Sequence, residues 1–231
     1  MEPLLSVEDV IVRRSQRAIL GPITWSVNHG ERWVILGPNG AGKSTCTNFF
    51  IEQNILQVKP VNLDELKQLI DPSILPDDIL RYQREENKQL EKLFEELYQQ
   101  KIMTFEDFAY ECNLREDQLK PVPYFEKNGY SLHLIFLCLD DVNQCEHRVE
   151  QRVKQGGHSV NKSSILENFN EGLHNLDESF LDWHSVLIID NSKEMTAAIF
   201  IKAGKLEFKF SLPKCINKKN TPRLFDFLHK K

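Results

Sequence analysis

A doubly wound α/β fold, with a mostly parallel sheet and helices on both faces, is what this sequence of 231 residues predicts. Three observations carry the prediction. An apolar run, Trp33-Val34-Ile35-Leu36, leads into Gly37-Pro38-Asn39-Gly40-Ala41-Gly42-Lys43-Ser44, and a helix can begin at Ser44. Apolar strand-like runs recur at 130–139 and 183–190. Between them lie stretches of helical periodicity, and strands that alternate with helices build parallel sheets. A small antiparallel β appendage at the N-terminus completes the expected architecture.

The glycine-rich segment matches a phosphate-binding loop at all eight positions, in the strand–loop–helix setting that the motif requires. The fold class is therefore of P-loop NTPase type. Glycines at 37, 40 and 42 let backbone N–H groups turn inward onto phosphate oxygens, and the helix N-terminus adds partial positive charge. Lys43 is placed to reach the β- and γ-phosphates, and the Ser44 hydroxyl to ligand Mg²⁺. Gly37 through Thr45 are the expected nucleotide contacts, with ATP and Mg²⁺ as the ligands. The competing reading is a chance glycine-rich turn.

Composition narrows the class. A hydrophobic fraction of 41% with 27% charged residues is ordinary for a folded chain. A formal charge of −5 and a pI near 5.8 lack the basic footprint of a nucleic-acid binder. No apolar run approaches the ~18 residues of a membrane helix, and the first residues carry no secretory-signal pattern. The cysteines, at 46, 112, 138, 145 and 215, are scattered and form no CxxC pair. That suits a reducing compartment better than a disulfide scaffold or a zinc site. Cytoplasmic location is the expectation.

In chain order, residues 4–12 and 19–27 read as strands, the second broken by Gly21-Pro22, and a turn at Asn28 to Glu31 precedes the loop strand. Gln57 to Asn62 reads as the next strand. A charged helix is expected from Asp77 to Gln100, with Ile79, Tyr82, Leu90, Leu93, Phe94 and Leu97 roughly on one face. Ile102 to Phe105, running into Phe108 to Tyr110, reads as a strand, followed by helix to Lys127. Tyr130 to Leu139 reads as a buried strand. Val142 to Lys154 is a helix stopped by Gly156-Gly157, a second helix covers about 162–180, and Trp183 to Asp190 is a strand. Thr196–Ile201 and Lys205–Phe210 form a hairpin around Ala203-Gly204, before a basic, amphipathic end.

Leu5-Ser6-Val7-Glu8-Asp9-Val10, Ile19-Leu20, Gly30-Glu31-Arg32 and Gly37 to Thr45 together resemble the start of an ABC-transporter ATPase subunit, over about residues 1–45. The glutamine loop, the LSGGQ-type signature and the aspartate–glutamate pair of such a subunit do not follow. Val186-Leu187-Ile188-Ile189-Asp190 is succeeded by Asn191.

From about 46 to 192 the chain resembles the zeta-toxin family of P-loop kinases. The pieces are Val61-Asn62-Leu63-Asp64-Glu65, Phe108-Ala109-Tyr110-Glu111, Gly129-Tyr130 and Leu134 to Leu137, then Arg148-Val149-x-x-Arg152-Val153-x-x-Gly156-Gly157-His158-x-Val160, with Leu187 to Ser192 closing the unit. That resemblance implies ATP-dependent phosphorylation of a hydroxyl on a small molecule, for the family UDP-N-acetylglucosamine, and an antitoxin-like protein partner. By resemblance Arg148 and Arg152 serve the transferred phosphate and Glu111 orients the acceptor; Asn113, where the chain departs from the family's small or threonine residues, is a further expected acceptor contact. The two resemblances meet within the loop helix, and the expected organisation is ABC-like strands at 1–30 and a kinase-like body at 31–231.

The residues have their own physics. Arg148 and Arg152 stand four apart on one helix face, free either to pair with Glu146 and Glu150 or to clamp phosphate. Asp64 follows a strand end, where ligands bind in doubly wound sheets. It can act as general base toward a hydroxyl or cap a helix. Glu111 is an acceptor contact or a surface carboxylate, and His158 touches phosphate or caps a helix end. Three functions fit: a small-molecule kinase using Asp64, Lys43, Arg148 and Arg152; a transporter-type ATPase; or a nucleotide-binding module without turnover.

Overall fold

Six residues of unbroken strand, β3 (Glu31–Leu36), form the third strand of a seven-stranded sheet in this computed structural model, which describes residues 5–14, 17–27, 31–52, 56, 58–75, 78–157 and 159–230. Ahead of β3, β1 (Leu5–Arg14) and β2 (Arg17–Val27) pair antiparallel in a sheet of their own. The Gly21-Pro22 break does not end β2; shifts of register along the pair absorb it.

After β3 come α1 (Lys43–Glu52), the two-residue β4 (Val61–Asn62), α2 (Leu63–Lys67) and α3 (Ile79–Thr104). Then follow β5 (Phe108–Cys112), α4 (Val122–Lys127) and β6 (Ser131–Cys138). α5 (Val142–Lys154) and α6 (Lys162–Ser179) precede β7 (Ser185–Asp190), and β8 (Thr196–Lys202), β9 (Lys205–Lys209) and α7 (Pro222–His229) finish the chain.

The strand order is β4-β5-β3-β6-β7-β8-β9, parallel through β7 and antiparallel beyond it. Parallel strands covered on both sides carry continuous apolar runs rather than alternation, and β6 and β7 are buried over nearly their whole length. β5 shows both faces in use. Phe108 and Tyr110 meet Phe94 of α3, at 6.2 and 5.3 Å between ring centroids, and Phe108 stacks on Phe125 of α4. Glu111, pointing the other way, meets Thr47 of α1. The doubly wound sheet is as expected.

Three element boundaries differ from expectation. Ile102 to Thr104 complete α3 instead of starting a strand, and the helix ends at Phe105 in the left-handed region (φ 52°). The strand read across 57–62 is only Val61–Asn62, with Gln57 outside the described residues. The single helix read up to Lys127 is a 3₁₀ turn at Glu116–Leu119 followed by α4, with Pro121 between them, because proline lacks an N–H for the ladder and fits only the first turn. Asp141 and Asn161 cap α5 and α6 by accepting from Gln144 N and Ser164 N.

Candidate active site

Parallel register aligns the carboxyl ends of the strands. Leu36 pairs with both Cys112 and Phe136, Asn62 with Glu111, and Cys138 with Asp190. The phosphate-binding loop therefore shares one edge with the segments after Asn62, Glu111, Cys138 and Asp190. The chain leaves β3 toward β4 on one side and crosses from β5 to β6 on the other, so this edge is the topological switch point where α/β proteins bind ligands.

The loop fits tightly there. A Cβ on Gly37 would sit 2.5 Å from the Leu137 carbonyl oxygen, and one on Gly42, at φ 88°, would sit 2.7 Å from Asn191 Nδ2. Asn168 of α6 donates to Asn39 Oδ1 at 2.6 Å, and Asn191 Nδ2 donates to the Ala41 carbonyl at 2.7 Å. Lys43 Nζ donates to the carbonyl of Gly37 (2.8 Å) and to Asn113 Oδ1 (2.9 Å). The ammonium is thus folded over its own loop, beside the end of β5.

Glu111 is only 7% exposed. Its carboxylate accepts from Ser44 Oγ at 3.1 Å and Thr47 Oγ1 at 2.6 Å, so the surface-carboxylate alternative is wrong: α1 lies over the end of β5 and buries it. These hydroxyl and carboxylate oxygens are hard donors suited to a magnesium ion that also takes nucleotide phosphates. Among the described residues no cluster of three or more His, Cys, Asp or Glu is arranged to hold a metal by itself.

Arg148 Nη2 donates to the carbonyls of Asn191 (2.5 Å) and Ser192 (3.4 Å). The expected competitors of the two arginines are engaged elsewhere: Lys162 pairs with Glu146 at 2.9 Å and Glu150 at 3.7 Å. Gly157 leaves no room for a side chain against Arg152, whose Cγ would be 2.6 Å from a Cβ there. Asp64 is the second residue of α2 by its backbone, inside the helix and not ahead of it; its side chain and His158 lie outside the described residues.

One cavity of about 870 Å³ brings these groups together. Asn39, Gly40 and Gly42 to Thr45 line one end, with Glu111, Asn113, Arg148 and Arg152 beside them. Asn62, Leu63, Lys67 and Gln68 from β4 and the α2 region, with Tyr82 and Glu86 of α3, line the other. Lys67 and Glu86 form an ion pair of 2.5 Å across α2 and α3. Burial pushes the Cys145 thiol up to about 12 and raises that of Cys46 still further, the latter with help from Glu111, so neither is poised as a nucleophile. Sequence reasoning missed Asn168 and Lys67; it noted Asn191 as a departure from the ABC pattern and within the closing segment Leu187 to Ser192, without a role.

The ABC transporter family model matches residues 20–175, about two thirds of the chain. The chain belongs to the ABC transporter family. Its curated relatives match over a shorter stretch. ModF of Escherichia coli (strain K12), an ABC transporter ATP-binding protein, is 50% identical over 44 residues, 19% of this chain and 9% of ModF. Zinc import ATP-binding protein ZnuC 1 of Hahella chejuensis is 34% identical over 64 residues, 28% of this chain and 23% of ZnuC 1. The chain thus spans less than a quarter of either relative.

Solved structures are similar in fold over far more of this ABC-family chain. AvrRxo1-ORF1:AvrRxo1-ORF2 with sulphate ions gives a TM-score of 0.59 at 14% identity, covering 84% of this chain and 64% of that one. The same complex with ATP gives 0.58. The PezAT chromosomal toxin–antitoxin system of Streptococcus pneumoniae gives 0.50 at 14% identity, covering 87% and 88%. An ABC-like sequence stretch and a fold shared with the AvrRxo1-ORF1:AvrRxo1-ORF2 and PezAT structures therefore coexist in one chain.

Proposed function

We propose that the chain is an ATP-dependent kinase that transfers a phosphoryl group to a hydroxyl of a small molecule. The observation that carries this reading is the cavity. Its volume of about 870 Å³ lies toward the upper end of small-molecule sites, roughly 300–1,000 Å³, and it extends from the phosphate-binding loop to a wall of α2 and α3. A second reactant has room there.

ATP lies along the loop, with Lys43 leaving Gly37 and Asn113 to meet the β- and γ-phosphates. Ser44 and the buried Glu111 would hold Mg²⁺, which when bound neutralises charge between the β- and γ-oxygens. Asp64 accepts the proton of the acceptor hydroxyl, whose oxygen bonds to the γ-phosphorus as the bond to the bridging oxygen breaks and ADP departs. Arg148 and Arg152 stabilise charge on the transferring group, and Asn113 helps to orient the acceptor. The family resemblance favours UDP-N-acetylglucosamine as that acceptor and an antitoxin-like protein as partner, and we assign residues 1–30 to a separate β unit. A cytoplasmic setting accords with the reduced cysteines; among the described residues no helix is long and apolar enough to cross a membrane.

The test is ADP release and phosphosugar formation from ATP·Mg²⁺ and UDP-N-acetylglucosamine, with Lys43→Ala as the blank. Asp64→Asn is expected to lose turnover while keeping ATP binding. The family match at 20–175 favours a second reading, transporter-type ATP hydrolysis. That reading requires acceptor-independent hydrolysis whose rate per chain climbs with protein concentration, since such sites close between two protomers.

A further inference from the structure

From the contacts of Asn191 we infer that this residue is a positioning residue, a strap that fixes Arg148 relative to the phosphate-binding loop so that the guanidinium reads the γ-phosphate. Asn191 sits just past β7, the last parallel strand of the sheet. Its side-chain amide donates to the Ala41 carbonyl at 2.7 Å, inside the loop. Its own carbonyl accepts from Arg148 Nη2 at 2.5 Å, with the Ser192 carbonyl a second acceptor at 3.4 Å. Its backbone N–H donates to the Cys138 carbonyl at 3.0 Å, which ties the residue to the end of β6. Ser192 N, donating to Asp190 Oδ1 at 2.9 Å, fixes the following peptide.

One residue therefore bonds to the loop, to the sheet and to the arginine. The fit leaves no slack, because Gly42 tolerates no Cβ against Asn191 Nδ2, and a Cβ at Gly40 would lie 3.2 Å from Arg148 Cβ. With Nη2 held by two carbonyls, the rest of the planar guanidinium fork is aimed by the strap and not by its own flexible stem. Asparagine suits the position chemically. The amide is a donor toward Ala41 O, whereas a carboxylate of the same shape would set two acceptors face to face.

The inference rests on the reading that nucleotide occupies the loop, and its test needs no turnover. Calorimetric titration with ADP and with a non-hydrolysable ATP analogue, each with Mg²⁺, gives the affinity increment due to the γ-phosphate. That increment is measured for wild type, Asn191→Ala, Arg148→Ala and the double variant. Each single variant is expected to lose it by about tenfold or more, the scale of a charge-assisted hydrogen bond. The double variant should be no worse than Arg148→Ala, within about twofold, because a strap acts only through the arginine it holds. Additive losses, or an undiminished increment in Asn191→Ala, overturn the strap. If Asn191→Ala does not fold, Asn191→Asp preserves the packing and enters the same cycle. Any repulsion between its charge and phosphate then persists in the Arg148→Ala background, whereas a positioning effect vanishes there. A wild type that binds neither nucleotide overturns the kinase reading and the strap together; one that binds both, with an increment insensitive to Asn191, overturns the strap alone.

Discussion

Glu111 draws together two hydroxyls of one helix, Ser44 and Thr47, from the end of a different strand. A carboxylate buried beside the nucleotide site, with hydroxyl donors on both oxygens, is built to remain in place while charge develops in front of it. Glu111→Gln preserves shape and the contact with Thr47 but removes the charge. We expect turnover to fall on the order of a hundredfold, the scale for losing one electrostatic stabiliser at such a site, with a steeper requirement for Mg²⁺ in a titration of initial rate. An unchanged rate would return Glu111 to a packing role. The loop itself was legible in the sequence because its chemistry is local: eight consecutive residues dictate the turn, the donors and the cation. Glu111's burial was not legible, because it depends on α1 folding back over β5, a contact 64 residues apart in sequence between Thr47 and Glu111. Asn168 escaped notice for the same reason, since its bond to Asn39 spans 129 positions.

At the scale of elements, α3 shows how a helix end misleads. Ile102, Met103, Thr104 and Phe105 have strand-forming side chains, yet the apolar stripe of Phe94 and Tyr98 continues through the partly buried Ile102 at helical spacing. The usual stop signal, glycine or asparagine in the left-handed region, is absent; Phe105 occupies that region at φ 52° and is 72% exposed. Phe105→Asn should relieve that backbone strain without the entropic cost of glycine. The expected gain is about 0.5–1 kcal/mol, or ~1–4 °C in Tm by calorimetry. No gain would mean that the ring's approach to Tyr130, 6.1 Å between centroids, offsets the strain. By contrast the buried strands β6 and β7 and the helices α5 and α6 were plain in the sequence, because continuous apolar runs and capping residues belong to the elements themselves.

For the molecule as a whole, the end of the sheet opposite the loop holds a titrating group. His133 of β6 is buried, with Nδ1 2.8 Å from Ser185 Oγ and the His184 ring 6.2 Å away. Burial first, then His184 and Lys202, pull it from 6.5 to about 3. The unfolded chain therefore binds the proton that the native state refuses. Stability should be constant above about pH 6.5 and fall as pH drops toward 3, by at most about 1.4 kcal/mol per unit from this group. Comparing urea unfolding of wild type and His133→Gln at pH 7 and pH 5 isolates the effect, because the glutamine variant should lose that part of the slope. Equal slopes would place the acid sensitivity in the carboxylates. The topology was legible at this scale as far as β7; that β8 and β9 turn antiparallel was legible only as a hairpin, since their place at the sheet edge is set by pairing with β7 and not by their own composition.

All five cysteines are buried and form no disulfide. They are spread over α1, β5, β6, α5 and the segment before α7, so the protein carries a reporter in nearly every layer of its core. A thiol reagent added to the native chain can react only when a layer opens, and the order in which the five sites are modified ranks those openings from the most frequent to the rarest. Nucleotide, by holding the loop against the sheet, should slow Cys46 and Cys112 more than Cys215, turning occupancy of the site into a change in the chemical lifetime of buried thiols.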